Sequence, residues 1–179
     1  MKTKKLFATF TLVLPLFCIS SVYAGDVFEN VRCGEDVVKA LRGRKGSDGP
    51  VVDLEARHKD IGLKDLGAEY ASDDESLGLV FWMICGEEYA TLEDKDFVRD
   101  VIKIPKHSKE TPEFVGSCQL SGKELPGIVV GVLKHEEGGG TLPAVKVWKI
   151  DEKHKKFVEL PTEGLRCGPD GISSEDSGH

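Results

Sequence analysis

Histidines are the first side chains of this sequence that could carry chemistry, because an imidazole can exchange a proton near neutral pH. His58 lies four residues or fewer from Glu55 and Asp60, and either carboxylate could work with it as an acid–base pair. A histidine among surface charges is more often a structural partner of those charges than a catalyst. We therefore treat His58 as a candidate binding residue.

Two further histidines stand beside groups that suggest chemistry. His107 precedes Ser108, which places a base next to a nucleophile, yet neighbours in sequence rarely reach the geometry that catalysis requires. His135 precedes Glu136 and Glu137, a set that could hold a divalent cation, but the three glycines that follow favour an exposed flexible loop. The sequence therefore predicts neither a catalytic residue set nor a metal site.

Trp148 and Lys146 form the second candidate binding spot. If residues 145–150 form a strand, alternation places Lys146 and Ile150 on the same face as the indole. A half-exposed tryptophan beside a lysine stem could bind a ligand. The alternative is a lysine whose aliphatic stem covers a buried ring.

Short motifs for cofactor chemistry are absent from the sequence. Residues 116–123 resemble a phosphate-binding loop, but Ser117 stands where the first glycine belongs and Glu124 where a magnesium-binding hydroxyl is needed. The sequence also lacks the Gly-x-Ser-x-Gly, His-Glu-x-x-His and Gly-x-Gly-x-x-Gly patterns. No cofactor is predicted.

The N-terminus has the layout of a secretory signal peptide. Three lysines precede an uncharged run from Leu6 to about Ile19, and Ala24 stands before Gly25 as a small residue at the expected cleavage site. We therefore expect residues 1–24 to be removed, which leaves a periplasmic or secreted chain of 155 of the 179 residues with no membrane insertion. The alternative is an uncleaved anchor, for which the apolar run is short.

Cysteines and charge narrow the class of protein. Four cysteines remain after the expected cleavage, and an even number in an exported chain predicts two disulfides. The separations of 52 and 49 residues favour Cys33–Cys85 and Cys118–Cys167 over the two other pairings. Removing three lysines and no acids changes the formal charge from −7 to −10, which argues against a nucleic-acid partner.

Hydrophobic patterning predicts the elements that would position these residues. Leu77–Ile84 is an uncharged run suited to a strand covered on both faces, and residues 89–92 return as a hairpin. Residues 34–43 predict one short helix, 51–58 a half-exposed strand, and 68–76 a surface loop. Further strands are predicted over residues 97–104, 114–120, 127–133, 145–150 and 157–160, and residues 164–167 are expected to close the domain.

The predicted fold class is therefore α+β, mostly antiparallel sheet with one short helix and two disulfide staples. We expect a single exported domain over residues 25–167 and a disordered acidic tail over 168–179. Similar tryptophan hairpins and similar cysteine separations raise the hypothesis of two related halves, 25–105 and 113–167.

The leading functional expectation is a non-catalytic binding module for a protein or cell-envelope component, and an inhibitor of a basic enzyme would suit the acidic charge. One alternative is an envelope hydrolase that uses His58 or His107 with nearby carboxylates. Another is a structural envelope protein without a ligand.

We predict that the exported protein begins at Gly25, because the small residue Ala24 follows the apolar run. Intact-mass spectrometry of the exported material checks this. Recovery of a membrane-bound species that retains residues 1–24 would contradict it.

Overall fold

A computed structural model describes residues 26–46, 50–72, 74–95, 97–137 and 140–168. The expected signal peptide and, apart from Gly168, the expected acidic tail lie outside these ranges. In the part of the chain that is described, no helix has the length and apolar character needed to cross a membrane.

Nine strands and a few short helical segments make up the described chain. The first half contains α1 (Val37–Leu41), α2 (Val51–Arg57), a 3-10 turn (Lys59–Ile61), β1 (Lys64–Tyr70), β2 (Leu77–Ile84), β3 (Glu87–Asp94) and β4 (Phe97–Lys103). The second half contains β5 (Glu113–Leu120), β6 (Lys123–Leu133), β7 (Leu142–Asp151), β8 (Lys156–Glu159) and β9 (Leu165–Gly168). The predominantly antiparallel sheet structure that the sequence predicted is confirmed.

The two halves form sheets of different topology. Strands β1 to β4 pair in chain order as an antiparallel meander, which we call the first sheet. In the second sheet, β5 pairs with β6 and β9, and β7 pairs with β6, β8 and β9. Strands β5, β6, β7 and β9 thus close into a ring. A relation between the halves stays a hypothesis.

Three apolar cores hold these layers together, and β2 contributes to two of them. Leu77, Leu79 and Phe81 pack on the second sheet, whereas Trp82 and Ile84 on the opposite face pack under the helices. The inter-sheet core joins these β2 residues to Ala71, Ala90, Leu92, Ile104, Val130, Val132, Trp148, Ile150 and Phe157. The ring core consists of Phe114, Cys118, Val129, Leu133, Val147, Leu165 and Cys167.

Each half contains its own disulfide. Cys33, ahead of α1, is bonded to Cys85 in the turn between β2 and β3. Cys118 and Cys167 are cross-strand partners on β5 and β9, so their bond lies on the ring. This is the pairing that the spacing of the cysteines predicted.

Val51–Arg57 form a helix that His58 caps, so the strand predicted over residues 51–58 is wrong. Pro50 precedes the helix with a φ of −64°, close to helical values, and suits a helix start. Of the apolar side chains in α2, only Leu54 is buried, while Val52 is 68% exposed. The apolar–charged alternation therefore belongs to a short helix that buries one residue.

The boundaries of the first half differ in two further places. Lys64–Tyr70 forms β1, which takes in part of the predicted surface loop over residues 68–76. Its side chains are nearly all exposed, so backbone pairing with β2 rather than apolar burial defines this strand. The helix predicted over 34–43 is only Val37–Leu41, with the side chain of Asp36 accepting a hydrogen bond from the Lys39 N–H. With α2, the described ranges contain two short α-helices instead of the one predicted.

Gly131 allows the ring to close tightly. It lies opposite Phe114 on β5 and Val147 on β7. A Cβ atom at this position would lie 2.7 Å from the Val147 Cα and closer still to the Lys146 carbonyl oxygen. Because backbone atoms cannot move aside cheaply, only glycine fits here.

We predict that Gly131→Ala lowers the free energy of unfolding by about 1–3 kcal/mol, the usual penalty of overpacking. Gly78→Ala on β2 is the matched control, because its Cβ would meet Glu93 Cβ at an ordinary 3.9 Å. Denaturant unfolding of both variants measures the difference. Equal stabilities would show that the ring can relax around the added methyl group.

Buried carboxylates at the end of β3 and on β4 bind β8 and the turn before it, and so connect the halves. Asp100 accepts hydrogen bonds from Arg42 Nη2 and the Phe157 N–H, at 2.5 and 2.9 Å. Asp94 accepts from Arg99 and from Lys155 Nζ, the latter at 2.5 Å. The Lys155 ammonium and then the Arg99 guanidinium hold the pKa of Asp94 below its ordinary value of 3.8, although burial acts to raise it.

We predict that Asp94→Asn lowers the Tm at neutral pH and that the difference from wild type shrinks in acid. The pKa of Asp94 is lower in the folded chain, so its contribution is present above pH 3.8 and is lost as the pH falls through the folded-state pKa. Thermal unfolding at about pH 7 and about pH 2.5 checks this. Asp60→Asn, at an exposed carboxylate, is the control. If the Tm of Asp94→Asn were lower than that of wild type by the same amount at both pH values, packing and not the charge of Asp94 would explain the loss.

Candidate functional site

Three side chains able to bind a proton or a metal converge where the two halves meet. His107 Nε2 lies 2.6 Å from Glu88 Oε2 and 3.7 Å from Glu113 Oε2. One potential ligand atom from each residue lies within 4.8 Å of the other two. The side chains are 21–30% exposed, so water screens their charges less than on an open surface. We call these residues the Glu–His–Glu cluster.

Strand ends and an anchored linker position this cluster. Glu88 is the second residue of β3, Glu113 is the first residue of β5, and His107 lies on the linker between β4 and β5. The Ile104 N–H donates to the Glu88 carbonyl oxygen at 2.8 Å, which fixes the start of the linker. Near its end, Leu133 N–H donates to the carbonyl oxygen of Pro112 at 2.9 Å. Backbone hydrogen bonds therefore fix both ends of the linker that carries His107.

Glu113 is the most perturbed member of the cluster. Burial raises its pKa above the ordinary value of 4.5, and the Glu88 carboxylate raises it further, while His107 lowers it. Its Oε1 atom is buried and accepts no hydrogen bond from the described residues. A buried acceptor without a donor costs about 1–3 kcal/mol. A ligand that brings a donor or a positive charge would be stabilised at this atom.

An open cleft lies beside Glu113, between β1 and β2 on one side and β5 on the other. Its volume is about 260 Å³, and we call it the β1–β5 cleft. Phe81 and Phe114, each 9% exposed, lie at its base, and Leu66, 44% exposed, lies at its edge. The full lining is Leu66, Glu69, Phe81, Glu113, Phe114 and Val115. The cleft thus combines apolar walls with two carboxylates.

Another cavity, of about 450 Å³, lies over β7 and β8. Its lining includes both a cation, Lys149, and the carboxylates Asp151 and Glu152. The Asp151 carboxylate is already engaged by His154, whose Nδ1 lies 2.8 Å away. This surface therefore offers less unsatisfied charge than the cleft beside Glu113.

His58 lies away from both the cluster and the cleft. Its Nε2 lies 2.8 Å from each carboxylate oxygen of Asp26, and its ring packs edge-on against Phe28. The same carboxylate pairs with Arg57 at 3.0 Å. Asp26, rather than Glu55 or Asp60, is thus the carboxylate that pairs with His58, and the contact holds the N-terminal segment against the end of α2. A binding role for His58 stays a prediction.

Trp148 is 7% exposed and packs in the inter-sheet core. Lys146 Nζ lies 5.1 Å from the centroid of the indole and 3.7 Å from Glu159 Oε2. The lysine stem thus covers a ring that presents little surface. A binding role for Trp148 and Lys146 stays a prediction, with Lys146 the more accessible of the two.

His107 does not activate the serine that follows it. The Ser108 hydroxyl donates to Glu110 Oε2 at 2.6 Å and accepts from the Glu110 N–H at 3.1 Å. His107 instead points to Glu88 and Glu113. The hydrolase alternative therefore depends on these carboxylates and has no serine nucleophile at this histidine.

Sequence reasoning missed Glu88, Glu113 and the cleft. Glu88 lies in the polar stretch between the two strands of the central hairpin. Glu113 directly precedes a predicted strand and carries no motif. Nothing in either stretch indicates that the two residues meet. Two features of the sequence are consistent with their meeting. Both glutamates lie next to predicted strand ends, and His107 lies on the linker between the halves.

No protein-family model, curated protein or solved structure matches this chain.

Proposed function

We propose that the protein is an exported, non-catalytic binding module that holds a basic, extended segment of a partner protein in the β1–β5 cleft. The observation that carries this proposal is the pairing of two carboxylates, Glu69 and Glu113, with a phenylalanine base in one cleft. Export is supported by the two disulfides and the layout of residues 1–24.

The cleft is complementary to a lysine or arginine side chain. Such a side chain has an aliphatic stem that packs on apolar surface and a cationic end that seeks a carboxylate. Phe81 and Phe114 would contact the stem, and Glu113 would receive the charged group. A donor at the Oε1 of Glu113 would also satisfy a buried side-chain acceptor that has no hydrogen bond from the described residues.

The size of the cleft favours a side chain over a free small molecule. Pockets that enclose drug-sized ligands have volumes of about 300–1,000 Å³. The β1–β5 cleft is smaller, at about 260 Å³. A ligand that fills the cleft must therefore make most of its contacts outside it, as an extended segment of a larger partner protein does.

The edge of the first sheet offers those additional contacts. Within the described ranges, β1 pairs with β2 and with no other strand, so its outer edge carries no strand partner. Extended peptides commonly bind by adding a strand to such an edge. Leu66 and Glu69 lie on β1 itself, so a segment that pairs there could direct a side chain into the cleft.

Long-range electrostatics support the same class of partner. The expected mature chain carries a formal charge of −10, since residues 1–24 hold three of the lysines and none of the acids. An acidic surface speeds the association of a basic partner and discriminates against acidic ones. A basic enzyme inhibited by this protein is one partner of that kind.

An envelope hydrolase is the second candidate function. Glu88 and Glu113 flank His107, and the raised pKa of Glu113 gives the cluster one carboxyl group that holds its proton more strongly than usual. Such a pair can serve as acid and base. Its assay is the release of soluble fragments from peptidoglycan.

We predict that a labelled peptide of about ten residues with alternating lysine and threonine binds the mature protein, because it can pair with β1 and insert a lysine into the cleft. A peptide in which each lysine is replaced by glutamate should not bind. Glu69→Lys and Leu66→Asp should each weaken binding by about tenfold, or about 1.4 kcal/mol. Fluorescence anisotropy measures all four affinities.

Glu124→Lys is the matched control for Glu69→Lys. Glu124 is exposed on β6, outside the cleft, and its replacement changes the net charge by the same amount. If both charge variants weaken binding equally, only general charge attraction operates and the cleft is not the site. Fragment release by wild type that Glu113→Gln abolishes would establish the hydrolase instead.

A further inference from the structure

We infer that Glu88, His107 and Glu113 form a binding site for a divalent transition metal, with Zn²⁺ the ion that fits the ligand set best. The site would add a metal-binding function to the proposed peptide-binding function. Both proposals involve the Glu113 carboxylate, but the two other metal ligands, Glu88 and His107, lie outside the lining of the cleft.

The distances within the Glu–His–Glu cluster suit a metal after a small adjustment. Zinc binds histidine nitrogen and carboxylate oxygen at about 2.0–2.2 Å, which places neighbouring ligand atoms about 3.3–3.6 Å apart. His107 Nε2 lies 2.6 Å from Glu88 Oε2 and 3.7 Å from Glu113 Oε2, so these distances bracket that spacing. A modest rotation of the Glu88 side chain would centre an ion between the three ligand atoms.

The chemistry of the ligands selects the class of metal. Calcium takes six to eight oxygen ligands, and magnesium keeps most of its water. An imidazole nitrogen with two carboxylates instead suits zinc and related transition metals, with a fourth position for water. Two carboxylates facing each other also leave local negative charge that a divalent cation neutralises.

The buried Oε1 of Glu113 provides an independent indication. It belongs to a side chain that is only partly exposed, yet it accepts no hydrogen bond from the described residues. A carboxylate that turns this oxygen to a cation, or binds through both oxygens, removes that deficit. The backbone anchors of the linker keep His107 near its partners, which favours a site formed before the metal arrives.

The competing explanation is an ordinary hydrogen-bonded ion pair between His107 and Glu88. The chain contains a matched example in His154, whose Nδ1 lies 2.8 Å from Asp151 Oδ2 on a 60% exposed side chain. In the described part of the chain, only the Glu–His–Glu cluster brings three such groups within 4.8 Å. If a histidine–carboxylate pair were enough for metal binding, the His154–Asp151 pair would bind Zn²⁺ as tightly as the Glu–His–Glu cluster.

Calorimetric titration of the metal-free mature protein with Zn²⁺ tests the inference. We expect one saturable site, and a zinc affinity that is at least about tenfold weaker in His107→Ala and in Glu88→Gln. His154→Ala should bind as wild type does. His179→Ala is included because His179 lies outside the described residues, and it should also leave binding unchanged.

Two outcomes would overturn the inference. One is the absence of saturable Zn²⁺ binding by the wild type, and the other is loss of binding in His154→Ala or His179→Ala with retention in His107→Ala. Glu88→Gln preserves the size of the side chain, and the absorption spectrum of the Co²⁺-loaded protein reports the ligand geometry even where one variant folds poorly. Binding of the basic peptide to His107→Ala should persist, so failure of either proposal is seen separately.

Discussion

Strand β2 must be covered on both faces, and most of the architecture follows from that requirement. Leu77, Leu79 and Phe81 point to one side, and Trp82 and Ile84 point to the other. Burying a large apolar side chain contributes about 1.5–3 kcal/mol, so exposing either face would remove a large part of a domain's net stability. The N-terminal segment and helices cover one face, and the second sheet covers the other.

This layered arrangement also creates the candidate sites. The linker must pass from the first sheet to the second, and the residues at its two ends come to lie near the strands that it joins. Glu88 and Glu113 approach each other only because the sheets pack face to face. The β1–β5 cleft opens at the same junction, where the inter-sheet core and the ring core reach the surface at Phe81 and Phe114. Both candidate sites therefore lie at the junction between the two sheets.

The sequence predicted most strands because burial imposes a period on them. Leu77–Ile84 and its return strand were clear from apolar runs and turn residues, and the cysteine separations favoured the pairing that the structure shows. The strand predicted over residues 51–58 is wrong because an apolar–charged alternation with one buried side chain, Leu54, also fits a short helix. Strand β1 was partly missed since its exposed side chains carry no apolar pattern. Glu88 and Glu113 could not be paired, because their proximity is a property of tertiary packing.

The order of the disulfides along the chain has a consequence for how the protein acquires them. Cys33 and Cys85 both precede Cys118 and Cys167, so the two bonded loops neither overlap nor nest. In a polypeptide that emerges N-terminus first, the first pair meets before either cysteine of the second pair is present. An oxidant that joins the four cysteines beyond the expected cleavage site in order of appearance would therefore form the native bonds without thiol–disulfide reshuffling.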